Sequence, residues 1–128
     1  MRRALYLSAL AVSIPAAFGA QLAEQDAYRQ LASGLREEVR LLSGITDAAT
    51  AAAAVEPLRL VLRQLSELQA QVDERELWRY IENTPDLKQP LIEETERLFV
   101  QMQRLEKAAC YHHAPLQKLM APLFNPAS

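Results

Sequence analysis

The sequence predicts an all-α protein, a small antiparallel helical bundle of three long helices plus short ones, placed after an N-terminal signal peptide. Three observations predict it. Ala, Leu, Glu, Gln and Arg dominate the chain, and all are strong helix formers. Only 3 glycines occur in 128 residues, so few positions are marked for irregular backbone. Apolar residues recur at steps of three and four, and no stretch shows the period of two expected of a half-buried strand.

The leader comes first. Arg2 and Arg3 supply a positive start, Ala4 to Phe18 an apolar stretch, and Ala17-Phe18-Gly19-Ala20 the small residues that signal peptidase requires. Cleavage is expected after Gly19 or Ala20; the first leaves Ala17 and Gly19 as the small pair. A membrane anchor competes with this reading, but the apolar stretch is about fifteen residues with Pro15 inside it, short of the roughly twenty a spanning helix needs. The expected division is residues 1–20 as signal peptide and 21–128 as a single helical-bundle domain, without an integral membrane span after cleavage. About 108 residues then bury one core, at roughly two thirds of the unfolded chain's surface.

In the first helix, from about Leu22 to Leu42, Tyr28, Leu31, Leu35, Val39 and Leu42 form one stripe. Ser43-Gly44 is expected to end it through a left-handed glycine. Thr46 or Asp47 can cap a second helix, its oxygen accepting from unpaired N–H groups of the first turn. That helix opens with Ala48 to Ala54, an alanine run expected to admit a close neighbour rather than to form the heart of the core. Val55, Leu58, Leu62, Leu65 and Val72 carry its stripe, with Gln69 interrupting. Pro57 removes a hydrogen bond and crowds the preceding turn, which predicts a kink or break near Glu56.

Asp73-x-x-Glu76 resembles a capping box opening a short third element that offers Leu77, Trp78, Tyr80 and Ile81 for burial. Asn83-Thr84-Pro85-Asp86 reads as a turn, in which Thr84 could cap a single helical turn before the chain restarts at Pro90. From there Leu91, Thr95, Leu98, Met102, Leu105, Ala109 and His112 step by four and three. Glu93, Glu94 and Glu96 in its early turns and Arg104 and Lys107 in its late ones complement the helix dipole. After Pro115, Leu116 to Met120 form a short lid-like helix before Pro122, with Leu123 and Phe124 able to dock. The same stripes permit a coiled-coil dimer, because their spacing does not say whether the partner lies in the same chain.

The formal net charge is -2, and loss of Arg2 and Arg3 with the leader makes it more acidic. Charges of both signs are interspersed, so no concentrated basic face points to nucleic acid. The single cysteine, Cys110, excludes an intramolecular disulfide and offers a route to a disulfide-linked dimer. Cys110-Tyr111-His112-His113 is the densest reactive cluster. A thiolate and two imidazoles suit zinc or copper, so Cys110, His112 and His113 are the candidate metal ligands. Cys110 and His113 lie three apart on the expected helix, within reach of one ion. Against this, three ligands fall short of a closed four-coordinate site, and a small buried cysteine with histidines at a helix's negative end accounts for the same residues. Glu37-Glu38 and Glu93-Glu94 read as solvated helical faces rather than acid–base pairs. No nucleophile elbow, phosphate-cradling loop, zincin motif or covalent haem motif occurs, so no catalytic residue or cofactor is expected.

Ile45-Thr46-Asp47-Ala48-Ala49-Thr50-Ala51 leading into Val55, Leu58, Leu62 and Leu65, with Cys110-Tyr111 and the Leu116-to-Leu119 tail, resembles small exported bacterial helical proteins of unknown function. The resemblance implies export and helicity, with no activity to transfer. The expectation is an extracytoplasmic, non-enzymatic protein, periplasmic or secreted, that binds an unknown protein partner, self-associates or serves the envelope structurally. The alternatives are zinc or copper handling and a small periplasmic chaperone.

Overall fold

In the computed structural model, residues 23–125 are described, so the expected signal peptide lies outside the described residues. The helices among them are α1 (Glu24–Ser43), α2 (Ala48–Ala70), α3 (Glu74–Glu82), α4 (Pro85–Lys107) and α5 (Ala114–Phe124), with a tight turn at Ala109–His112 between the last two. No strand occurs among the described residues.

α1 is amphipathic, and Leu31, Leu35 and Leu42 lie on its buried stripe as expected, while Ala27 and Glu38 take the places expected of Tyr28 and Val39. It buries Ala27, Leu31, Leu35, Glu38 and Leu42, leaving Tyr28 and Val39 half-buried at its border. Glu37 and Glu38 therefore do not share a solvated face. Successive helical residues diverge by about 100°, and Glu38 falls between Leu35 and Leu42 on the inward side, with no exposed surface. Glu37 stays outward, paired with Arg40. That hydrogen bond holds its carboxyl below the ordinary carboxylate range.

Gly44 follows α1 at φ -78° and ψ -9°, in the right-handed region, not in the left-handed conformation expected of a terminal glycine. Its N–H donates to the Arg40 carbonyl at 3.2 Å, and the next N–H, Ile45, reaches Leu42 O at 3.1 Å. The helix unwinds through one more right-handed turn that any residue could make. Asp47, rather than Thr46, then caps α2. Its Oδ1 accepts from Thr50 N at 2.8 Å, and Thr50 Oγ1 accepts in return from Asp47 N at 3.0 Å, a reciprocal pair that satisfies two donors at once.

α2 runs unbroken through Pro57. The proline costs one hydrogen bond, which would have reached the carbonyl of Ala53. Both residues lie on the exposed face, where water can take the freed oxygen. The alanine-rich opening contributes more to the core than its small side chains suggest, with Ala51 fully buried and Ala54 nearly so. Further along, α1 and α2 cross closely: a Cβ on Gly34 would stand 2.6 Å from Leu65 Cδ2, so the absence of a side chain there sets their separation.

Asp73 caps α3 by accepting from Glu76 N at 3.2 Å, while the Glu76 side chain turns to Arg79. Leu77 and Ile81 are buried, and Trp78 and Tyr80 pack half-buried against the core. α4 starts at Pro85, not Pro90, because proline at the first helical position loses no hydrogen bond. Thr84 does not cap it; its hydroxyl donates back to Tyr80 O at 2.8 Å. Pro90 sits inside the helix, so Glu93, Glu94 and Glu96 lie beyond its first turn and Asp86 is the acid nearest its positive end.

Two long-range contacts fix direction. Tyr28 Oη near the start of α1 donates to Leu87 O near the start of α4 at 2.8 Å. Arg104 near the end of α4 reaches carbonyls at the end of α1. α1 and α4 thus run parallel, while the Gly34–Leu65 crossing and the short connection fold α2 back along α1. α1 packs against α2, α3 and α4, and α2 packs on its other flank against α5. Each fully buried leucine of this core contributes about 1.5–3 kcal/mol. No helix among the described residues is long and apolar enough to cross a membrane.

Candidate functional site at the junction of the last two helices

The periodic run from Leu91 to His112 does not remain one helix. α4 stops at Lys107, and Ala109, Cys110, Tyr111 and His112 follow with φ of 52°, 51°, 55° and 59°. Four consecutive non-glycine residues in the left-handed region are costly, because Cβ is driven against the following carbonyl at about 1–2 kcal/mol per residue. Something outside the turn must hold it. At its two ends Tyr111 N donates to Ala108 O at 3.0 Å and His113 N to Cys110 O at 3.1 Å.

Arg104 supplies the principal restraint. Its Nη2 donates to Leu42 O at 2.8 Å, its Nη1 to Ile45 O at 2.9 Å and to the Tyr111 hydroxyl at 3.1 Å, and its Nε to Gln101 Oε1 at 2.9 Å. The last carbonyls of α1 have no partner within their own helix and carry the negative end of its dipole. A guanidinium fork, always charged and rigidly planar, fits them as a flexible ammonium would not. One side chain therefore closes α1, anchors α4 and fastens the left-handed turn through Tyr111. From the other side Gln117 Nε2 donates to Ala109 O at 2.9 Å.

Within this turn the candidate metal ligands part company. Cys110 is 1% exposed, His112 is exposed and His113 is half-buried. Cys110 and His113 do not stand one turn apart on a common right-handed helix, since the backbone between them has the opposite hand. Among the described residues no group of three His, Cys, Asp or Glu side chains is placed to hold a metal ion. Burial, and then the charge of Glu106, push the Cys110 thiol above its ordinary range. The thiolate is the form that binds metals and attacks electrophiles, so this environment keeps Cys110 in its less reactive form.

An open groove of about 510 Å³ lies between α1 and α2 at the Gly34–Leu65 crossing, lined by Arg29, Gln30, Ser33, Glu37, Gln64, Glu67 and Gln71 among others. Its Arg29 and Glu37 are already engaged by Asp26 and Arg40. Ser66 Oγ, Gln69 Oε1 and Trp78 Nε1 are buried atoms with no hydrogen-bond partner among the described residues.

Reasoning from sequence missed Arg104 and Glu38. Glu38 was within reach, since Leu35, Glu38 and Leu42 are spaced three and four apart. Arg104 was not, because the carbonyls it serves lie about sixty residues away and backbone acceptors leave no mark in a sequence. No protein-family model, curated protein or solved structure matches the chain.

Proposed function

We propose that the chain is an exported, non-enzymatic protein whose helices assemble as a bundle, α1 antiparallel to α2 but parallel to α4, and which acts by binding another protein or by an envelope-associated structural role. The observation that carries this reading is the use made of the reactive cluster. Cys110 is buried as a neutral thiol, the Tyr111 hydroxyl accepts from Arg104, and both Nη atoms of Arg104 are committed to tying α4 to the end of α1 and to the turn. These groups are spent on architecture. Export rests on Arg2, Arg3, the apolar stretch Ala4 to Phe18 and the small residues up to Ala20, and the short connections between successive helices support the bundle.

A native mass spectrum of the protein recovered from the exported fraction, without reductant or chelator, tests export and assembly together. A chain beginning at Ala20 or Gln21 supports export, and an intact chain retained in the cytoplasm overturns it. The non-enzymatic reading falls if purified protein turns over any substrate and loses that turnover on one side-chain change outside the core.

A further inference from the structure

The left-handed turn stands between two helices of unequal attachment. α4 is bound into the core by Leu91, Leu98 and Leu105, whereas α5 lays Leu116, Met120 and Leu123 mainly on α2 and on the turn itself. We propose that Ala109–His112 is a hinge through which two copies of the chain exchange α5, each copy's α5 occupying the partner's α2 surface.

Three observations converge on exchange. The turn holds four L-residues in a conformation their own chemistry disfavours. The stripe Leu98, Met102, Leu105 continues at Ala109 and His112 by steps of four and three, so a right-handed extension of α4 removes the strain and keeps the sequence's own period. Redirecting those residues carries α5 off α2, and its three buried apolar side chains then need a surface of the same shape. A second copy presents that surface with every contact reproduced. Short hinges under strain are the usual entry to such exchange. The Arg104–Tyr111 and Gln117–Ala109 hydrogen bonds hold the closed form against it. Exchange is independent of whether the chain also binds another protein.

The test uses the mature chain, kept reduced so that Cys110 pairing is not read as exchange, and incubated at high concentration a few degrees below its unfolding midpoint. Native mass spectrometry gives the dimer fraction. Tyr111→Phe, which removes only the hydroxyl that Arg104 holds, is expected to raise the dimerisation constant about fivefold, as loss of one charge-assisted hydrogen bond implies. The double variant Ala109→Gly, His112→Gly relaxes the turn and disfavours its helical extension, and should lower the constant at least tenfold. Mixing ¹⁴N and ¹⁵N chains before cross-linking separates exchange from simple association. Links between α2 of one isotope and α5 of the other support the hinge. A chain that stays monomeric, a dimer whose α2–α5 links join only like isotopes, or a glycine variant that dimerises as the parent does, overturns it.

Discussion

Two junctions in this molecule solve the same problem by opposite means. Between α1 and α2 the backbone conformation and the cap are supplied locally: a right-handed Gly44, an aspartate cap and its threonine counterpart, all within a few residues of one another. Between α4 and α5 it reverses through four left-handed residues, none of them glycine, and His113 gives α5 no side-chain cap. Arg104 belongs to both, bonding Leu42 and Ile45 carbonyls at the first and Tyr111 at the second. The lesson is that a glycine is neither necessary nor sufficient for a left-handed reversal. The surrounding structure can impose the conformation on residues that resist it and leave the available glycine in an ordinary one.

The contrast is broken most forcefully at its shared element. Arg104→Met keeps the packing of the stem but removes the donor to Ile45 O, leaves Leu42 O with the Ile45 N–H alone and releases Tyr111, and should lower stability by about 2–4 kcal/mol in urea denaturation. Arg104→Lys should recover less than half of that, since an ammonium cannot span the same acceptors. A loss under about 0.5 kcal/mol would mean that the turn stands without the clamp.

The caps come next. Asp47→Ala should cost about 1 kcal/mol by removing the Oδ1 that accepts from Thr50 N, and a calorimetric scan at neutral pH measures it. The same residue gives a pH signature. Hydrogen bonds from Thr50 hold the Asp47 carboxyl below its ordinary range. The stability it contributes is therefore full above the ordinary aspartate range and is lost as pH falls through the lower, folded value. Asp47→Asn should flatten the acid side of the stability profile and leave the profile above about pH 5 parallel to the parent's.

The glycine comparison sharpens the argument at lower amplitude. Ala109→Gly should stabilise by about 1 kcal/mol, because glycine accepts φ of 52° without steric cost. Gly44→Ala should be neutral or stabilising by up to about 1 kcal/mol, since its backbone is right-handed and an added Cβ meets nothing closer than 3.6 Å. Destabilisation by Gly44→Ala would place that glycine in the left-handed region after all. The smallest effect on stability and the clearest on chemistry concerns Cys110. Alkylation of the native thiol at pH 8 should be slower than that of the urea-unfolded chain by about a hundredfold, as burial and a raised thiol pKa both require. Comparable rates would show the turn opening freely.

Much of the helical architecture was legible because its causes are local. The apolar steps of α1 and α4, the acceptor at Asp47 and the acceptor at Asp73 all act within one or two turns of themselves. Prolines misled because their penalty depends on what surrounds them. Pro57 faces solvent and Pro85 occupies a position where no donor is missed, so neither breaks the chain where composition suggests. The candidate cluster was legible as a set of residues and illegible as a geometry. Helical spacing placed Cys110 and His113 together only on the assumption that the backbone kept its hand.

The sequence by itself determined that the described chain is helical, where α1 and α2 begin and end to within a few residues, and which leucines of α1 and α4 are buried. Propensity, periodicity and capping are short-ranged, and a reader of residues can sum them. Tertiary structure alone decided that Glu38 lies inside, that α4 ends at Lys107, and that Cys110 sits in a left-handed turn. Those outcomes depend on contacts between residues far apart in the chain: the burial of Glu38 among the packed helices, the packing of α5 on α2, and the Arg104 side chain that bonds Tyr111 in the turn while anchored to the Leu42 and Ile45 carbonyls.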